Sequence, residues 1–225
     1  MTRKQSVEQL IYNTLKSAIL SRKLAPGNQL VETAISNQLN VSRTPIRNAI
    51  RKLSAEGLVN NIPNKGAFVV NPTRDEIIQA YNLRKELEII AVRDAITYLT
   101  ENDYKRMEQS IKDENIALEN KHLMNYLESN KVFHMIIAER SENKYLVEFI
   151  EKLINQTNIY LILFDSFFEE LSTTPKSPIG HALIISLLKK KDLPGLKETL
   201  TLHYQFAIES LALTDRVYQN VDELF

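Results

Sequence analysis

The sequence predicts a mostly α-helical protein in two parts. A small N-terminal module holds three short helices and a β-hairpin, and an all-α bundle of six to seven helices follows it. Three observations carry that prediction. From Arg74 onward apolar residues recur every three or four positions, the period of a helix with one buried face. Two strand-like runs, Leu58 to Ile62 and Ala67 to Val70, flank the turn former Pro63-Asn64-Lys65-Gly66. Finally, 44% hydrophobic content over 225 residues with five glycines and seven prolines excludes disorder and hairpin-rich all-β architecture.

Element by element, Val7, Leu10, Ile11, Leu15, Ala18 and Ile19 place a first helix from Ser6 to Ser21, ended by the turn signal Ala25-Pro26-Gly27-Asn28. Leu30, Ala34, Ile35 and Leu39 make a short second helix. After the tight turn Asn40-Val41-Ser42, Ser42 is positioned to N-cap a third helix, whose first turn holds Pro45, where a missing N–H costs nothing. Ile46, Ala49, Ile50 and Leu53 line its inner face and Gly57 stops it. With the hairpin, residues 1–70 have the outline of a winged helix-turn-helix. Asn71-Pro72 marks the boundary, since a residue before proline is disfavoured in a helix. Thr73-Arg74-Asp75-Glu76 reads as a capping box opening the second domain, 71–225. There, helices are expected at about 74–99, 101–119, 122–140, 143–170, 176–190 and 193–213. The stretch 159–164 (Ile-Tyr-Leu-Ile-Leu-Phe) is ambiguous, and Tyr160, Phe164, Phe167 and Phe168 read as packing.

The chain has 28 basic and 28 acidic side chains, but this neutrality averages two unlike parts. Residues 1–70 carry a net +7 and the rest a net −7, the asymmetry of a basic module that meets a polyanion and an acidic one that stays off it. Zero cysteines exclude a disulfide scaffold, a thiolate zinc site and a cysteine nucleophile. No run approaches the ~20 apolar residues of a membrane helix, and the start Met1-Thr2-Arg3-Lys4-Gln5-Ser6 passes into an amphipathic pattern rather than a signal peptide. A soluble, cytoplasmic protein with no membrane partner is expected.

The third helix is the candidate DNA reader. A recognition helix offers the major groove its N-terminal residues, and here Arg43 and Arg47 share one face, one turn apart, opposite Ile46 and Ile50. A planar guanidinium suits guanine O6/N7 or phosphate oxygens. Ser42 and Thr44 can donate to phosphates, and Lys65 and Gly66 at the hairpin tip suit the flanking backbone or minor groove. The segment Val41-Ser42-Arg43-Thr44-Pro45-Ile46-Arg47, followed by Leu53-Ser54-Ala55-Glu56-Gly57-Leu58, resembles the winged-helix signature of the GntR superfamily of bacterial transcription regulators over residues 6–70. Two departures stand out: Asn48 stands where the family commonly has glutamate, which bears on the pairing of Arg47, and Thr33 stands near a frequent DNA-contacting arginine.

Of four histidines, His134, His181 and His203 fall on separate predicted helices among apolar residues, while His122 opens another. Asn130 and His134 are i and i+4 and could hold one ion; imidazoles with an oxygen donor suit Zn²⁺, Ni²⁺, Fe²⁺ or Mn²⁺. On the residues alone the same histidines read more readily as hydrogen-bonded core or rim residues. Residues 74–213 resemble the all-helical effector domain of the FadR-type GntR branch, in its FCD subgroup, through Asn130-x-x-Phe133-His134, Ser141-Glu142-Asn143-Lys144-Tyr145-Leu146, His181 and His203. The resemblance implies a divalent metal held by Asn130, His134, His181 and His203. A neutral Asn130 in place of aspartate leaves the ion its full +2 charge and favours an anionic ligand. Arg84, in Leu83-Arg84-Lys85-Glu86-Leu87-Glu88, matches a family run in which the arginine reaches inward to an effector carboxylate. The alternative is a surface Arg84–Glu88 pair at i, i+4.

These readings predict a homodimeric, ligand-responsive regulator, a repressor by resemblance, that binds a palindromic double-stranded DNA operator and senses a small carboxylate. Dimerisation follows from scale, because one recognition helix reads only a few base pairs. Two other classes stay open: a constitutive DNA-binding protein whose bundle only dimerises, and a histidine–metal hydrolase. Against an enzyme stands the expectation that no glutamate or aspartate lies beside the histidines.

Overall fold

The computed structural model describes residues 6–164, 176–209 and 211. Two compact units divide between Thr73 and Arg74. The first contains α1 (Val7–Leu20), β1 (Gln29–Leu30), α2 (Glu32–Leu39), α3 (Arg43–Ala55), β2 (Val59–Ile62) and β3 (Gly66–Val69). Ser6 caps α1 by accepting from the Gln9 N–H at 3.2 Å. Ile11, Leu15, Ile19, Leu30, Ile35, Ile46, Ile50 and Leu53 are buried together, and each such side chain contributes about 1.5–3 kcal/mol on burial. Polar contacts tie α1 to α3 at both ends: Glu8 pairs with Lys52 (2.6 Å) and accepts from Asn48 (3.1 Å), while Glu56 takes Lys16 (2.7 Å) and Tyr12.

The sheet holds three strands in the order β1-β3-β2, all antiparallel, one more than the expected hairpin. Leu30, assigned from its spacing to the second helix, is instead strand residue opposite Ala67, and α2 begins at Glu32. The error has a physical cause: a buried residue ending a strand just before a helix adds to that helix's apolar period without sharing its backbone. At the wing tip the Lys65 N–H reaches the Ile62 carbonyl at 3.0 Å, with Pro63 at the second turn position and Asn64 at φ 62°, as a type II turn requires.

The second unit contains α4 (Arg74–Ala95), α5 (Glu101–Glu119), α6 (Leu123–Glu139), α7 (Lys144–Phe164), α8 (Lys176–Lys190) and α9 (Leu193–Glu209), six helices among the described residues. The ambiguous 159–164 stretch is helical, with Tyr160 in the core and Phe164 partly buried against it; Phe167 and Phe168, with the expected helix tails 165–170 and 212–213, lie outside the described residues. With few glycines to end them, α5, α6 and α8 stop at Lys121, Glu142 and Lys191, each with φ between 54° and 56°. Thr100 and Asp103 form a capping box for α5, and Asn143 Oδ1 accepts from the Leu146 N–H at 3.2 Å to start α7. Ile77, Tyr81, Phe133, Ile136, Ile184, Leu196 and Tyr204 form the main core, into which α4, α6, α8 and α9 each send side chains. No helix among the described residues is long and apolar enough to cross a membrane.

Candidate functional site

Burial of Ile46, Ala49, Ile50 and Leu53 turns the opposite face of α3 outward, and Ser42, Arg43, Thr44 and Arg47 are all exposed. Ser42 holds the N-cap position with extended backbone, yet its side chain makes no capping bond, contrary to expectation. Its oxygen is therefore not engaged by the helix, and the side chain is free to turn its O–H to an outside acceptor. Lys65 and Gly66 are exposed at the wing, where the Gln29 side chain donates to the Lys65 carbonyl at 2.7 Å. Gly66 sits at φ 103°, a backbone conformation that side-chain-bearing residues rarely adopt, so the tip needs glycine there.

Arg47 is held in a two-bond fork by Glu32, Nε to Oε1 at 3.1 Å and Nη2 to Oε2 at 2.8 Å. That hydrogen-bonded guanidinium, with the nearby charges of Arg43 and Arg51, keeps the Glu32 carboxyl below its usual range. Asn48 turns instead to Glu8, so the departure from glutamate there leaves Arg47 paired through α2. Two residues were missed from sequence. Arg51 is exposed and continues the i, i+4, i+8 row of Arg43 and Arg47, a spacing that could have revealed it. Glu32 lies fifteen residues from its partner and had no such signal.

In the second unit, α6, α8 and α9 bring His134, His181 and His203 together, with one nitrogen from each ring inside a 4.8 Å span. His134 and His181 are buried and His203 is the least enclosed. The Phe133 ring stacks on His181 at 3.9 Å and fixes its plane. Gly180 lets α9 approach: a Cβ there would stand 3.2 Å from His203 Nδ1. His122 lies apart as the α6 N-cap, accepting from the Asn125 N–H at 3.3 Å.

The carboxylates expected to be absent are present. Glu114 Oε2 is hydrogen-bonded to His181 Nδ1 at 2.9 Å, while Glu88 Oε2 lies 2.7 Å from His134 Nδ1 as an ion-pair contact without hydrogen-bond alignment. Neither could be placed from sequence, because both come from helices distant in the chain. The two Nε2 atoms face one another at 3.2 Å; with a proton on each Nδ1 both lone pairs would be free for an ion, and without an ion one Nε2 must donate to the other. Two ligands on a tetrahedral ion with bonds of 2.0–2.1 Å stand about 3.3 Å apart, so the pair is spaced to share a cation. Burial pushes His134 down to about 4 against the pull of Glu88, keeping the imidazole neutral as a ligand must be. Burial and the neighbouring His181 and His134 lower His203 as well.

Asn130 is tied to the cluster through Glu114, which also holds His181. Its amide nitrogen donates to Glu114 Oε1 at 3.1 Å and Ser177 Oγ at 3.2 Å, leaving the carbonyl oxygen as its end for an ion. Arg84 does pair with Glu88, Nε to Oε1 at 2.8 Å, but inside the bundle: the two are 3% and 5% exposed. Its Nη1 donates to Thr157 Oγ1 at 2.8 Å, the Tyr204 ring lies 5.2 Å away, and Nη2 is buried with no partner. Burial alone would raise the Glu88 carboxyl; the Arg84 guanidinium beside it outweighs that and holds it well below the carboxylate range.

A winged helix-turn-helix with an exposed basic face on α3, in a chain that also carries a helical bundle, defines a DNA-binding transcription regulator. Family models agree: "Bacterial regulatory proteins, gntR family" matches residues 8–69 and "FCD domain" matches 79–206. The chain belongs to the GntR family of bacterial transcription regulators, in the group that carries an FCD domain. It is similar to the HTH-type transcriptional repressor RspR of Escherichia coli K12, 29% identical over 207 residues that span 92% of this chain and 90% of that protein. It is also similar to the regulator YdhC of Bacillus subtilis, 26% identical over 89% of this chain and 88% of that one. Among solved structures, E. coli McbR/YncC matches with TM-score 0.66 and 24% identity, covering 92% of this chain and 97% of that one. The structure of Lar, which controls the Listeria monocytogenes agr system, matches at 0.70 and 21%, covering 93% and 98%. These two likenesses show the fold.

Proposed function

We propose that the chain is a cytoplasmic, ligand-responsive repressor that binds a palindromic operator as a homodimer, and that its bundle senses a small carboxylate through a divalent metal. The observation that carries the sensing part is the meeting of three histidine nitrogens within 4.8 Å inside the bundle. His134, His181 and His203, with the Asn130 carbonyl, are the ligands, and Zn²⁺, Ni²⁺, Fe²⁺ and Mn²⁺ all suit such a set. When bound, the ion supplies a positive anchor for an anionic ligand. Arg84 offers the second anchor, its unpartnered Nη2 being the donor left for an effector carboxylate. The effector acts by binding one arrangement of the bundle more tightly than another.

On the DNA side, Arg43 and Arg47 meet base edges, Ser42 and Thr44 meet phosphates, and Lys65 with Gly66 follows the flanking backbone. The repressor assignment leans on the name of RspR. A second copy has an apolar face to use: Leu83 and Ile90 on α4 and Tyr145 and Phe149 on α7 are exposed, on helices that pack side by side. Both glutamates beside the histidines are engaged, Glu114 by His181 and Asn130 and Glu88 by Arg84, which argues against a free general base and a hydrolase.

A second reading, a constitutive DNA-binding protein, is favoured by those same contacts, since they give His134 and His181 partners without any ion. Metal analysis of protein purified without chelator decides between the two. About one metal per chain, lost in His181→Ala, is expected. Metal in neither protein would leave DNA binding standing and remove metal-assisted sensing.

A further inference from the structure

Glu114 stands out because its carboxyl is fully buried and is held by two members of the candidate metal site at once. One oxygen lies 2.9 Å from His181 Nδ1 and the other accepts from Asn130 Nδ2 at 3.1 Å. Among the described residues no lysine or arginine pairs with it. We propose that Glu114 is the anionic partner of the metal site: through His181 and Asn130 it supplies the negative charge that a directly ligating aspartate would bring, which is why an asparagine can stand at position 130. This rests on the reading that the histidines hold a metal.

The chemistry works on both arms. A carboxylate accepting from Nδ1–H fixes the ring's tautomer, directs Nε2 at the ion and raises its basicity. On the other arm, the Asn130 amide donates to Glu114 and to Ser177 Oγ, which orients it with the oxygen free and polarises that oxygen toward an ion. An aspartate at 130 would reverse the arrangement, because its oxygen would face Glu114 Oε1 across the same 3.1 Å with no proton between them. Asn130 and Glu114 are therefore a matched pair. Glu114 is a positioning residue, acting on the ion only through the side chains it holds.

The test is a zinc-affinity cycle by competition with a chromophoric chelator, on wild type, Glu114→Gln, Asn130→Asp and the double variant, with thermal unfolding of each metal-free protein. Glu114→Gln is expected to weaken zinc binding about 10–100-fold. Asn130→Asp alone should leave affinity unchanged or weaker and lower the metal-free melting temperature. The same change in the Glu114→Gln background should restore affinity. Zinc binding by Glu114→Gln at wild-type strength, or a gain from Asn130→Asp of equal factor in both backgrounds, overturns the proposal. Should Glu114→Gln fail to fold, Asn130→Asp decides alone, a tighter site than wild type being the overturning result. Absence of zinc binding by wild type would remove the metal reading itself and the proposal with it, an outcome distinct from any change among the variants.

Discussion

Replacing Glu88 by glutamine tests whether the interior of the bundle is organised around one carboxylate. Glu88 joins Arg84, at 2.8 Å, to His134 Nδ1, at 2.7 Å, and all three side chains are withdrawn from water. Glu88→Gln keeps the shape and removes the charge, so Arg84 is left as a buried cation with Thr157 as its remaining hydrogen-bond partner apart from the new amide oxygen. Removing one partner of a buried pair costs about 3–5 kcal/mol, and the retained amide oxygen places the expectation near 3. At about 2–4 °C per kcal/mol for a chain of this size, the melting temperature of metal-free protein should fall by about 6–12 °C. Differential scanning calorimetry of wild type, Glu88→Gln, Arg84→Met and the double variant measures it. The double variant should recover much of the loss, because no charge is then left unpaired. A loss in Glu88→Gln below about 1 kcal/mol is the worth of a surface pair and would refute this account of the interior.

On the DNA side, Arg47→Ala should lower the preference for operator over scrambled duplex by roughly ten- to hundredfold while the bundle stays folded. Fluorescence anisotropy at several salt concentrations reads it, and an unchanged ratio would show that α3 is not the reading helix. For the capping box, Asp103 accepts from the Thr100 N–H (2.8 Å) and hydroxyl (2.7 Å) and pairs with Arg140 (2.9 Å). Burial would raise its carboxyl, yet the Arg140 and Thr100 bonds hold it below the ordinary 3.8. A depressed folded value makes the stabilisation full above about pH 4 and lost as pH falls through that folded value. Asp103→Asn should therefore cost about 1–2 kcal/mol in urea unfolding at pH 7, and the gap to wild type should close in acid. A gap independent of pH would show that the carboxylate is not what matters there.

Much of the fold was legible because it is written in local periods. The apolar row Ile46, Ala49, Ile50, Leu53 both buries α3 and dictates that Arg43 and Arg47 face out, so a single spacing supplied the helix and its candidate reading face. Turn chemistry placed the wing, while the grouping of three histidines into one interior cluster came from the resemblance to the FCD domain and not from their spacing. The strand at Leu30 was not legible, since its pairing to Ala67 spans the whole module while its apolar side chain looks the same in helix or strand. Phe167 and Phe168 lie outside the described residues, so the aromatic cluster is seen through Tyr160 and Phe164.

The partners of the functional side chains belong to tertiary structure. Spacing at i, i+4 made Arg84 and Glu88 neighbours, but an identical spacing describes a solvated pair and a buried one; packing of α4 against α7 and α9 makes this one buried. Glu114 meets His181 across 67 residues and Arg47 meets Glu32 across 15, separations over which a sequence carries no distance information. By itself the sequence determined which helices form, which faces they bury and that a basic reader precedes an acidic bundle. Only the packing of α4, α5, α6 and α8 decided that each of two histidines turns one nitrogen toward a glutamate and the other to its neighbour, because a ring's orientation is set by the groups it meets and those arrive from elsewhere in the chain.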